Sequence, residues 1–292
     1  MPELPEVETT IQSLKTGRAP VLGARFIDVW TDSPKMIKNP KSFLLFKKKI
    51  INREIQDIWR RGKNIIFTLS GNLFLLIHQK LTGHLLVGNW EKVNNKWEPI
   101  DKKSALNEAV NKYIHFLFWL DSGLMIALSD LRKFAKIEIL TKKELDDELK
   151  NLGVEPLDKD FTFKKFKEVL RKRKGRIKQV LMDQKIIAGI GNIYSDEILF
   201  KAGVNPFRLI NSLSEEELKK IYLAMKEILS LSIRLQGESF ADYRLPNGER
   251  GGFDKMIKVY RREGKKCFRC KGVIQRKIIG GRSTYFCPKC QK

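Results

Sequence analysis

Residues 113–131, YIHFLFWLDSGLMIALSDL, place two apolar runs on either side of Asp121, Ser122 and Gly123. Short runs of this composition bounded by turn residues read as the two strands of a β-hairpin. Similar short runs lie on both sides of it: ARFIDVW from Ala24, NIIFTLSG from Asn64, LFLLIHQ from Leu73 and HLLVG from His84. Strands this apolar need a second sheet to cover them, so the region from Ala24 to Leu140 is expected to be a two-layer antiparallel β-sandwich. A polar stretch, residues 89–112, interrupts the pattern and reads as a surface insertion without an assigned function.

Ahead of the strands, Leu4, Val7, Ile11 and Leu14 recur at helical spacing and Gly17 follows as a stop, giving a short amphipathic helix with Glu3 at its start. The chain opens MPELPE, so removal of Met1 would make Pro2 the amino terminus. A terminal secondary amine can attack an electrophilic carbon, and its reference pKa of about 8, against about 10.4 for lysine, leaves a usable neutral fraction near pH 7. Glu3 and Glu6 stand beside it as proton carriers. The same prolines also suit the simpler task of opening a helix.

Beyond the strands the period changes. Thr141 and Glu144 form a capping box, and VEPLDKDF then breaks the chain. Helices follow around Phe163, Phe166, Val169 and Leu170, around Ile177, Val180 and Leu181, over IYSDEILFKAG, and from Ser214, boxed by Glu217, through Leu218, Ile221, Met225 and Leu229. The glycine-rich segment QGESFADYRLPNGERGGFD, residues 236–254, reads as a long functional loop. In AGIGNIYSDEILF, Gly189, Gly191 and Asn192 make a turn into a helix amino terminus. Such a turn suits either phosphate binding or plain helix packing.

All four cysteines lie at the end of the chain, as Cys267, Cys270, Cys287 and Cys290 in a C-x2-C-x16-C-x2-C array. Two thiolate pairs at this spacing fit one tetrahedral Zn2+ with no open position, hence a structural ion. Gly280 and Gly281 turn the hairpin between the pairs, and Arg282 projects just beyond. The whole chain of 292 residues carries 57 Lys and Arg against 34 Asp and Glu, a net charge of +23. Residues 151–292 hold 32 of the basic side chains and 16 of the acidic ones, so the second half is the stronger surface for a polyanion. No apolar run approaches a membrane span, and the expectation is a soluble intracellular protein.

MPELPEVE, RRGKN around Lys63, DQKIIAGIGNIYSDEILF and GRSTYFCPKCQ, taken in that order, resemble the formamidopyrimidine-DNA glycosylase and endonuclease VIII family. The resemblance implies an α+β, multidomain fold: an amino-terminal helix and β-sandwich catalytic domain over 1–140 and a helix-two-turn-helix domain over 141–237. A lesion-recognition loop and connector over 238–261 and a zinc finger over 262–292 complete it. It makes Pro2 the nucleophile, Glu3 the general acid/base and Glu6 the support of the amine. Lys63, which the resemblance also counts among the catalytic residues, forms a phosphate clamp with Asn192 and Arg282, and Arg132 and Phe134 fill the void left by a flipped base.

One departure bears on that wedge. Where formamidopyrimidine-type members usually carry methionine, the segment His78, Gln79, Lys80, Leu81, Thr82, Gly83 has leucine, and His78 and Leu81 are carried over as DNA-contacting residues. A second departure is VYRREGKKC, where a glycine is usual after the tyrosine. The implied partner is double-stranded DNA with oxidised bases or abasic sites, met by a monomer in the cytoplasm of a bacterium, at the nucleoid. The AGIGN motif and the long loop favour oxidised purines; the rival readings are an enzyme for oxidised pyrimidines and a zinc protein that only binds damaged DNA.

Overall fold

The computed structural model describes residues 1–171, 173–240 and 242–292. The chain forms two compact units, Met1–Lys150 with Leu235–Asp254, and Asn151–Arg234 with Lys255–Lys292. Among the described residues, no helix is long and apolar enough to cross a membrane.

The first unit opens with α1 (Leu4–Thr16), whose Leu4, Val7, Ile11 and Leu14 are buried as their spacing requires. Its strands are β1 (Phe26–Thr31), β2 (Ile37–Asn39), β3 (Ile55–Arg61), β4 (Asn64–Leu69), β5 (Leu73–His78), β6 (His84–Gly88), β7 (Trp90–Val93), β8 (Lys96–Pro99), β9 (Ile114–Leu120), β10 (Met125–Ser129) and β11 (Lys136–Thr141). One sheet runs β1-β9-β10-β6 and the other β2-β11-β5-β4-β3. The β9–β10 hairpin pairs Ile126 with Phe118 and Leu128 with Phe116. Those side chains meet Phe26, Phe46, Ile65, Phe67, Leu75 and Ile77 in a single core. Phe26 and Phe46 each meet Phe118 or Phe116 edge-on, with ring centroids 5.5 and 5.7 Å apart.

Three details depart from the simple alternation. The edge strand β2 runs parallel to β11, whereas the other pairings are antiparallel. A helix, α2 (Phe43–Ile50), lies between β2 and β3, with Phe46 and Ile50 buried. The insertion is less polar in its packing than in its composition. β7 and β8 form a hairpin that buries Trp90, and Trp97 packs edge-on against Trp30 and Trp119 at 5.3 and 5.6 Å. Those tryptophans cover the outer face of the four-stranded sheet, which would otherwise expose a large apolar surface. The helix α3 (Lys142–Leu149) closes this part of the chain on the Thr141–Glu144 capping box.

The second unit holds α4 (Phe163–Arg171), α5 (Ile177–Met182), α6 (Asn192–Ala202) and α7 (Glu215–Arg234). Ser214 and Glu217 exchange the two capping bonds expected of them, at 2.8 and 3.2 Å. A two-stranded hairpin, β12 (Gln275–Ile279) and β13 (Arg282–Phe286), completes the unit.

Candidate active site

Pro2, Glu3 and Glu6 are all buried, and the two glutamates expose 2% and 1% of their surface. Carboxylates placed so deep need donors. One oxygen of Glu6 accepts the Glu3 backbone N–H at 2.8 Å, and the other accepts the N–H of Glu238 at 2.9 Å. Glu6 therefore ties the residue next to Pro2 to the glycine-rich segment 232 positions later in the chain. The close approach requires Gly237. Its φ is +81°, and a Cβ there would sit 3.0 Å from Glu6 Cγ and Oε1. Tyr243, fully buried, donates its hydroxyl to the Glu6 carbonyl at 3.1 Å, and burial pushes that phenol far above its ordinary pKa.

Glu238 adds a third carboxyl to this corner. Burial, the negative charge of Glu6 and that of Asp254 push it up to about 8, against the Phe240 N–H and the terminal ammonium, which favour the charged form. At neutral pH it is mostly a neutral acid. Lys63, at the β3–β4 turn, exposes only 5% of its surface, which sets it apart from an ordinary surface cation. His78 accepts the Lys80 N–H on Nδ1 at 3.0 Å. Burial, helped by the charges of Lys80, Lys63 and Lys136, lowers its pKa to about 3, so it is a neutral hydrogen-bonding group.

The segments 78–83 and 130–135 are joined by Asp130, a fully buried carboxylate. It accepts the Thr82 hydroxyl, and the N–H groups of Phe134 and Ala135 at 2.7 and 2.8 Å. This turn holds Phe134 half in solvent, with the Arg132 guanidinium 4.6 Å from its ring centroid. Met1, Leu81 and Phe134 line one cleft of about 550 Å³ together with Lys35, Lys38, Lys80 and Lys133. Terminus, leucine and phenylalanine thus share a basic recess.

In the second unit Asn192 opens α6 and donates its side-chain amide to the Ser283 carbonyl at 3.0 Å, next to exposed Arg282 at the start of β13. Beneath them lies a buried ion pair, Lys178 to Asp196 at 2.7 Å. Lys178 also donates to Thr284 Oγ1 at 2.9 Å and to the Ser283 carbonyl at 3.2 Å, while Asp196 accepts the Tyr285 N–H at 3.0 Å. Burial outweighs the lysine and holds the Asp196 carboxyl above its ordinary range, at about 7. One pair therefore fixes three consecutive residues of β13, immediately after Arg282.

The four cysteine sulfurs lie within 4.8 Å of one another. Cys267 and Cys290 are 3.8 Å apart and Cys270 and Cys287 3.4 Å, close to the roughly 3.8 Å that tetrahedral Zn–S bonds of about 2.3 Å impose. The donor set fits one structural zinc, and it leaves no position for a substrate.

Three family models match. Residues 1–137 match the formamidopyrimidine-DNA glycosylase N-terminal domain, 152–243 its H2TH domain, and 264–292 the zinc finger found in FPG and IleRS. The formamidopyrimidine-DNA glycosylase of Carboxydothermus hydrogenoformans is 39% identical over 293 residues, with both chains fully covered. The chain belongs to the formamidopyrimidine-DNA glycosylase family. The Pelotomaculum thermopropionicum member is 37% identical over 294 residues, covering 100% of this chain and 99% of the relative. A Lactococcus lactis FPG mutant in complex with a Fapy-dG containing DNA superimposes with a TM-score of 0.85 at 32% identity over the full length of both chains. The Lactococcus lactis Fpg bound to DNA with an abasic site gives 0.84 over 99% of each. This glycosylase is a DNA-repair enzyme of the class that also nicks abasic sites.

Sequence reasoning missed several residues of this site. Glu238 and Tyr243 meet Glu6 only through the fold. Asp130 was visible as an acidic residue before a turn, where such side chains collect backbone N–H groups. Lys178 stands beside the apolar Ile177, Val180 and Leu181, and a lone lysine on that face was the available signal.

Proposed function

We propose that, once Met1 is removed, the amine of Pro2 attacks C1′ of a damaged nucleotide, with Glu3 as general acid/base and Glu6 holding the terminus. The carrying observation is the Glu6 carboxylate, buried and shared between the Glu3 and Glu238 N–H groups beside Pro2. The nitrogen lone pair forms a bond to C1′ as the base departs with the glycosidic electron pair, and the departing base takes up the proton that the amine nitrogen loses. Glu3 gives its proton to O4′, the ring opens, and an iminium cation remains. That cation draws electrons from the C2′–H bond, so loss of the proton expels the flanking phosphate.

Lys63, Asn192 and Arg282 serve as phosphate contacts, the Asn192 amide having a second N–H beside the one it gives to Ser283. Leu81, Arg132 and Phe134 fill the space of the everted nucleotide, with His78 as a neutral hydrogen-bonding neighbour. The substrates are double-stranded DNA with formamidopyrimidines and 8-oxoguanine. Residues 1–140 supply the chemistry, 141–237 the helix-two-turn-helix grip, 238–261 the lesion loop and connector, and 262–292 the finger. The enzyme acts as a monomer on nucleoid DNA in the bacterial cytoplasm.

Intact mass should show loss of Met1, and borohydride added during turnover should leave DNA attached to the amino-terminal peptide. Glu3→Gln should lower excision by about 10² to 10⁴ while lesion binding survives. A lysine adduct from protein that retains Met1 would falsify the mechanism. Duplexes carrying 8-oxoguanine, formamidopyrimidine, dihydrouracil or an abasic site decide the lesion class, and preference for dihydrouracil would favour the pyrimidine reading.

A further inference from the structure

The glycine-rich segment that reaches Glu6 is held at its other end by the insertion. Arg244, only 3% exposed, donates its Nε to Glu108 Oε2 at 2.9 Å and its Nη1 to the Tyr243 carbonyl at 2.8 Å. Asn111, 1% exposed, donates to the Ala105 carbonyl at 2.8 Å and the Gly248 carbonyl at 3.5 Å, while its Oδ1 pairs with His84 Nε2 at 2.9 Å. Gly248 passes so close, at φ +86°, that a Cβ would lie 2.6 Å from the backbone of Ala105 and Leu106. The Val87 N–H donates to the Pro246 carbonyl at 2.7 Å. Residues 243–248 are thus clamped between β6 and the short turn 105–111.

The clamped residues adjoin those that touch the amine corner. Tyr243 bonds the Glu6 carbonyl, Arg244 follows it directly, and the Glu238 N–H sits on Glu6 Oε1. We propose that the turn 105–111, through the Glu108–Arg244 pair and Asn111, is a brace that positions Tyr243 and the Glu238 amide on Glu6 and so fixes the reacting terminus. Glu108, Asn111 and Arg244 are positioning residues, and the insertion acquires a task. The inference rests on the proposed role of the Pro2 amine. A buried guanidinium deprived of its carboxylate must seek other partners or water, which loosens its segment. Displacing a reacting group by about 1 Å can cost about 10² in rate.

Glu108 is 43% exposed on its side chain, so Glu108→Ala should fold, and Glu108→Gln keeps an oxygen for Arg244. With the full-length zinc-loaded enzyme and a formamidopyrimidine duplex, Glu108→Ala should speed hydrogen exchange over residues 243–248. Single-turnover excision should slow about 10- to 100-fold with duplex affinity within twofold, and Glu108→Gln should restore most of the rate. Faster exchange with a wild-type excision rate overturns the brace, as does a slow Glu108→Ala whose exchange is unchanged. An equal loss in both variants overturns it too. Failure to trap an adduct on the wild-type terminus would strike the amine reading alone, because excision and exchange still judge the brace.

Discussion

Glu6→Gln isolates the contact on which the amine corner depends. The wild-type carboxylate offers two acceptor oxygens, one to the Glu3 N–H and one to the Glu238 N–H. Glutamine keeps one oxygen and turns an NH2 group toward the other donor, so one buried N–H loses its acceptor and faces a second donor. A hydrogen bond to a charged group contributes about 1.5–3 kcal/mol, and an unsatisfied buried donor costs about 1–3 kcal/mol. At 1% exposure, water cannot relieve the loss. The expected destabilisation of the first unit is about 2–4 kcal/mol, which for a body of this size lowers Tm by roughly 5–15 °C. The segment after Gly237 should lift from α1, and single-turnover excision should fall about 10²-fold as the terminus loses its fixed direction. Thermal unfolding and rapid-quench excision on a formamidopyrimidine duplex, in parallel, read both effects. A variant with Tm within 2 °C and a rate within threefold of wild type would refute the reasoning.

Three further outcomes are expected. Purified protein should contain one zinc per chain by elemental analysis, and Cys287→Ala should weaken DNA binding while the β-sandwich melts as before; active protein without zinc would remove the assignment. The logarithm of affinity should fall linearly with log salt, and Arg282→Ala or Lys63→Ala should each reduce the slope by about 0.9, so an unchanged slope would mean the residue meets no phosphate. Because Glu238 holds its proton up to about 8 in the folded state against an ordinary 4.5, wild-type stability should decline as pH rises from about 4.5 and level off above about 8. The full interval corresponds to at most about 5 kcal/mol. Glu238→Gln should grow more stable than wild type across that window, and a difference that stays flat with pH would contradict it.

Local chemistry explains which parts of this molecule were legible in its sequence. The capping boxes at Thr141 and Ser214 and the cysteine array depend on neighbours within a few residues or on fixed ligand spacing. Most of the strand runs were visible because they bury both faces, as β4, β6 and β10 do, whereas β1 loses its alternation at a register shift between Phe26 and Asp28. The helix α2 was not, since Leu44 and Leu45 face solvent at 77% and 55% exposed while Phe46 and Ile50 carry the packing. Composition also misrepresented the insertion. Its lysines and asparagines dominate the count, yet Trp90 and Trp97 decide where it packs. In the site, Pro2, Glu3, Glu6 and Lys63 lay in recognisable motifs. The Glu6–Glu238 and Lys178–Asp196 contacts depend on how distant segments come together, which no local period encodes.

The return of residues 235–254 to the first unit also governs when an emerging chain becomes competent. Glu6 leaves the ribosome early, but its second donor is made 232 residues later, a delay of about 10–50 s at roughly 5–20 residues per second. During that interval α1 and the sheets have the residues they need to form, while the corner around the terminus lacks Gly237, Glu238 and Tyr243. If Pro2 is the nucleophile, as proposed, a nascent chain would carry it in an unfinished pocket, and its amine near undamaged DNA would be idle until most of the helical unit had been synthesised.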